Sequence, residues 1–128
     1  MNRRHPATTA FLVLSGFFAL GALLQPFTAG LGIFGESFDA HEGLGSALHG
    51  ITLLALVAAL ISPSRRRDAP LAVVVFALVT VQLFVVESGT TAVAALHPFL
   101  GVSALLLAAW AHLRARAEAP SRAAVPVG

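Results

Sequence analysis

Five histidines stand in a chain of 128 residues that has no cysteine and one methionine. Two of them, His49 and His97, lie in apolar runs and share a local pattern, "SALHG" at 46–50 and "AALHP" at 94–98. A strongly polar side chain inside a lipid-embedded segment is costly and turns inward toward a functional partner. Neutral imidazole is the commonest metal ligand among side chains. Two imidazoles make a poor cage for zinc, which takes four protein ligands, or three and a water. They suffice for haem, whose porphyrin fills four positions and leaves two axial ones. Without cysteine or an internal methionine, iron–sulfur clusters, covalent c-type attachment and methionine ligation are excluded. The chemistry that fits is one haem b held by His49 and His97.

The elements that must carry these residues follow from composition. The chain is 57% hydrophobic and 11% charged, with a mean hydropathy of +0.85. Soluble domains carry about 25% charged residues. Four apolar runs, at about residues 9–33, 40–61, 70–86 and 90–110, each approach the ~20 residues that cross a bilayer as a helix. The expected fold is all-α: a single four-transmembrane-helix bundle over residues 1–118, followed by a disordered tail at 119–128. All eight basic residues are arginines. They fall in "MNRR", "SPSRRRD" and the segment after the fourth run, whereas "FGESFDAHE" and "ESGT" hold carboxylates and no arginine. By the positive-inside rule both termini are cytoplasmic, in a bacterial inner membrane. The arginines read as topology signals, so no nucleic-acid partner is expected. No phosphate loop or nucleophile–base set is present, so nucleotide enzymes and hydrolases are not expected either.

Under that topology the second and fourth spans run in the same direction. His49 is 12 residues from Ile61 and His97 is 13 from Trp110. At 1.5 Å per residue the two rings fall at about the same depth. The preceding spans carry a second match, "QPF" at 25–27 and "QLF" at 82–84. The chain therefore reads as two helical hairpins related by a pseudo-twofold along the membrane normal. Gln25 and Gln82 are candidates to orient an imidazole or a propionate. Phe27, Phe84 and Phe99 offer flat apolar surface to a macrocycle, and Gly50 and Gly101 leave room beside the ligands. His41, at the head of the second span, lies about 12 Å and about 80° from His49. It is a candidate for propionate contact, for a proton or ligand site with Glu36, Asp39, Glu42 and Glu87, or for the alternative axial ligand. Asp39 also suits a helix N-cap. His112, beside Arg114 and Arg116, and His5 are assigned no function.

The order Q-P-F, F-D-A-H-E-G-L-G, A-L-H-G, then A-L-H-P-F-L-G resembles small four-span bacterial membrane proteins of poorly known function. More distantly it resembles one four-helix half of haem A synthase, over about residues 9–113. That resemblance implies haem between histidines of the second and fourth helices, near the outer face. It places His97 as the fourth-helix ligand, His41 or His49 as the second-helix ligand, and Glu36 or Asp39 as an acidic loop residue. Haem A synthase has two such halves and this chain has one, so the resemblance implies haem binding rather than that reaction. The functional expectation is a b-type cytochrome for electron transfer across or within the lipid bilayer, exchanging electrons with a quinone or a membrane oxidoreductase, with oligomerisation open. The alternative is a cofactor-free accessory subunit or a small proton or metal-ion transporter.

Overall fold

The computed structural model describes residues 4–35 and 37–117. Helix α1 spans Pro6–Ile33, α2 Asp39–Ile61, α3 Arg65–Val86, the single turn α4 Thr91–Ala94 and α5 Leu96–Ala117. Four spans, the fourth formed by α4 and α5 together, are long and apolar enough to cross a membrane, and the chain is a multi-pass, all-α membrane bundle. Glu36 and the tail from 119 onward lie outside the described residues.

Local sequence explains the boundaries. Pro6 opens α1, where its missing N–H costs nothing, and the His5 ring accepts a hydrogen bond from the Ala7 N–H (3.2 Å). Gly35, with φ 108°, turns the chain after α1. Pro63 bars continuation of α2 past Ser62. Pro26 is accommodated within α1, which continues to Ile33. Phe38, rather than Asp39, occupies the cap position of α2, and Asp39 is its first helical residue. Three helices run beyond the apolar runs read from sequence: α1 starts at Pro6, α3 at Arg65 and α5 ends at Ala117. Hydropathy marks where lipid ends, but a helix continues as long as its backbone bonds close.

The helices form a ring in which α1 packs on α2, α2 on α3, α3 on α5 and α5 on α1, while the diagonal pairs do not pack. The core is built mostly from small residues, among them Ala55, Ala59, Ala72, Ala104, Ala108 and Ala111, closed by Phe11, Phe18 and Leu48. Small residues let membrane helices approach closely, where lipid offers no hydrophobic drive to associate. Large apolar side chains such as Phe17, Leu20, Leu54 and Leu106 point outward.

Burial also reveals the symmetry. In α2 the buried positions include Leu48, Thr52, Ala55 and Ala59; in α5 they are Ala104, Ala108, Ala111 and Ala115. Each α5 position is its α2 counterpart plus 56. In α1, Phe11, Ser15 and Phe18 match Asp68, Ala72 and Val75 of α3 at an offset of 57. The two hairpins are thus equivalent, but at an offset that superimposes His97 on His41.

Candidate functional site at the paired histidines

His41 lies in the first turn of α2 and His97 is the second residue of α5, both at the bundle end opposite the arginine-rich loop. Twenty residues separate His41 from Ile61 and His97 from Ala117, so the two rings share a depth. Their ring centres are 5.9 Å apart with planes at 62°. Because α2 and α5 do not pack against each other, this contact reaches across the bundle axis.

Each ring is held in the same way by its own hairpin. His41 Nδ1 lies 3.2 Å from the carbonyl oxygen of Gln25, and His97 Nδ1 lies 3.4 Å from that of Gln82. A carbonyl only accepts, so Nδ1 carries the proton and donates in both residues. That assignment leaves both Nε2 atoms with a lone pair, the form in which imidazole binds a metal. One turn beyond each histidine stands a glycine. The Gln25 amide lies against Gly45 and the Gln82 amide against Gly101, so close that an added Cβ would sit 3.2 and 3.3 Å from them. The repeat that builds the site is therefore H-x-x-L-G, at 41–45 and 97–101, preceded by a glutamine.

The glutamines differ in what they do next. Thr28 Oγ1 donates to the Gln25 carbonyl (3.0 Å), lies 3.4 Å from Gln25 Oε1, and stands 3.4 Å from His41 Nδ1. Phe38 adds an edge-on ring contact to His41 at 6.4 Å. His41 Nε2 has no hydrogen-bond partner among the described residues. In the second hairpin the Gln82 amide instead turns to its histidine, with Nε2 to Nε2 at 3.4 Å. Since His97 Nε2 is unprotonated, the amide nitrogen must face it and donate. Gln82 Oε1 is left buried without a partner. An unmet buried acceptor costs about 1–3 kcal/mol.

His49 takes a different place. Its ring stacks on Phe76 of α3 at 5.3 Å, and its Nε2 lies 3.1 Å from Thr80 Oγ1. Thr80 spends its own proton on the Phe76 carbonyl (2.8 Å), so His49 Nε2–H is the donor. His49 is the opposite tautomer and ties α2 to α3; the ring that meets His97 is that of His41. The expected match of His49 with His97 arose from ending the fourth span at Trp110, seven residues short of the end of α5. Phe27, Phe84 and Phe99 are 66%, 70% and 68% exposed and face outward, not toward the rings. Gly50 is open to the outside. Glu42 and Glu87 are exposed, as is Asp39, which accepts from Ser37 Oγ at 2.8 Å. His112 turns to α1. Its Nδ1 lies 2.9 Å from the Leu12 carbonyl, and its ring lies over Gly16 of α1. His49 and His112 thus stitch the two interfaces between hairpins, while His41 and His97 sit within them.

Thr28, Phe38 and Gly45 complete the site without having been singled out from sequence. H-x-x-L-G was the signal that could have found the last of them. Among the described residues no three His, Asp or Glu side chains gather as a metal-ion cage. The family model described as "Family of unknown function (DUF6220)" matches residues 25–92, a stretch that includes Gln25, His41, His49 and Gln82 and ends before His97. No curated protein and no solved structure matches.

Proposed function

The chain belongs to the DUF6220 family, whose description assigns no activity, and we propose that it is a membrane b-type cytochrome with His41 and His97 as axial ligands. One observation carries this: two imidazoles from diagonal helices meet at 5.9 Å with both Nδ1 atoms hydrogen-bonded to helix carbonyls. Two imidazoles bound to opposite faces of one metal, with bonds of roughly 2 Å, have ring centres roughly 6 Å apart. The donor set, the tautomers and this spacing support a haem held between the two rings. The paired histidines of a haem A synthase half support the same choice. Haem bound there supplies reversible one-electron storage within the bilayer, and histidine on both sides favours electron transfer over oxygen chemistry.

The chain's own residues do the rest. The Gln25 and Gln82 carbonyls fix ring rotation and raise the basicity of Nε2. By the positive-inside rule the arginine distribution supports a reading in which the rings lie toward the outer face of a bacterial inner membrane and both termini lie in the cytoplasm. A quinone or a membrane oxidoreductase is the electron exchanger in this reading. The test is an absorption spectrum of the detergent-purified full chain, oxidised and dithionite-reduced, with haem supplied. Sharp reduced α and β bands are expected in the wild type and in His49→Ala. Protein that binds no haem, or loses its bands only in His49→Ala, overturns the assignment.

A further inference from the structure

Resting on the haem reading, we infer that Gln82 makes His97 the exchangeable ligand of the pair, so that a small neutral ligand can enter on the His97 side. The Gln82 amide nitrogen sits 3.4 Å from His97 Nε2, the atom that a metal takes. Any metal on His97 must displace that hydrogen bond, and loss of the metal restores it. His41 has no such resident competitor, since the Gln25 amide is engaged toward Thr28 and its Nε2 is clear. The two rings are also braced differently: Gln25, Thr28 and Phe38 contact His41, whereas His97 meets Gln82 through both ring nitrogens and, among the described residues, makes its ring contact with His41 alone.

Pro98, next to His97, withholds a backbone N–H from the helical turn that carries the ring. Gly101 leaves the amide the space it uses. Were haem held there, His97 Nε2 would give up its bond to iron as the incoming ligand took that position, and the Gln82 N–H would close on the freed nitrogen, with no electron or proton transferred.

The experiment is carbon monoxide titration of the reduced, haem-loaded full chain, in the wild type and in Gln82→Leu. The variant keeps the backbone carbonyl that holds Nδ1 and removes only the competing amide. A saturable Soret shift is expected in the wild type, with at least ten-fold more carbon monoxide needed in Gln82→Leu. Gln82→Met, closer in length, serves if leucine disturbs packing at Gly101. In haem-free protein, the nitrogen NMR resonance of His97 Nε2 should move in the variant while Nδ1 stays protonated. A six-coordinate spectrum that carbon monoxide leaves unchanged in the wild type overturns the exchange but leaves His41–His97 ligation standing. Equal response in wild type and variant overturns the role of Gln82. Failure to bind haem at all defeats the reading on which both rest.

Discussion

The two hairpins carry the same glutamine, histidine and glycine, yet they hold their rings by different contacts. Contact between α1 and α2 is the most extensive helix pairing in the bundle. Gly21 receives the side chain of Leu48, and Gly32 receives the ring of Phe38. At the equivalent of Gly21, α3 carries Leu78, which has no such notch. The second hairpin instead carries Pro98 in the helical turn of its histidine and leaves Gln82 Oε1 buried without a partner. A pseudo-twofold bundle can thus present two chemically matched imidazoles and still hold them by different contacts.

The largest effect that would break this comparison comes from the histidines themselves. On the haem reading, His41→Ala is expected to lower bound haem at least ten-fold, because it removes the ring whose Nε2 has no competing amide. His97→Ala should retain most of the haem, with a reduced spectrum changed to the five-coordinate type. Pyridine haemochrome quantification and the reduced Soret position distinguish the two. Equal loss in both variants would mean that the hairpins hold their rings equally, whatever their packing.

Much of this architecture was legible in the sequence. Four apolar runs, arginine-rich connections and the matched Q-x-F triplets led to the bundle, its hairpins and its pseudo-twofold. The register of the paired histidines was not legible, because A-L-H and H-x-x-L-G compete as repeats and differ in offset by eight residues. Span ends chosen by hydropathy favoured the former. The last turns of α5 carry Arg114 and Arg116 and look like a loop by composition, yet they are helical. Burial at every third or fourth residue decides the register, and side-chain orientation of that kind is only faintly encoded in a run of alanine, leucine and valine. The outward turn of Phe27, Phe84 and Phe99 was hidden for the same reason. An aromatic in a membrane helix is as well placed against lipid as against a cofactor.

The intermediate effects lie away from the rings. At the equivalent of Phe11 in the first hairpin, the second carries Asp68, 3% exposed and paired with Arg67 at 2.6 and 3.0 Å. Asp68→Ala removes both charge-assisted bonds next to a partly solvated guanidinium, for a loss of about 1–3 kcal/mol. Gly21→Ala forces a Cβ to within 2.5 Å of buried Leu48 Cδ2 and should cost about 1–3 kcal/mol by overpacking. Thermal unfolding in detergent reads both. If Gly21→Ala proves neutral, the contact of Leu48 with α1 is weaker than its geometry indicates. Thr80→Val removes one interhelical hydrogen bond from His49, worth about 0.6 kcal/mol on average in membranes. It should leave the haem spectrum unchanged, since that bond ties α2 to α3 and does not touch the paired rings.

The smallest expected effect is also the most discriminating. Alanine at Gly45 or Gly101 gains up to about 1 kcal/mol of helix propensity. Each new methyl would sit 3.2 or 3.3 Å from the far end of a glutamine side chain, which can give way by a few tenths of an ångström. Net stability should change by less than about 0.5 kcal/mol at either site. The consequences for the rings should nonetheless diverge. Moving the Gln25 amide leaves His41 Nδ1 on its backbone carbonyl and Nε2 as clear as before. Moving the Gln82 amide weakens its hold on His97 Nε2, so Gly101→Ala should shift the His97 nitrogen resonance in haem-free protein and make the loaded protein harder for carbon monoxide to open. A Gly101→Ala protein that is destabilised by 2 kcal/mol or more would show that the Gln82 amide is wedged rather than mobile. The difference between the hairpins would then have to lie outside the Gln82 amide.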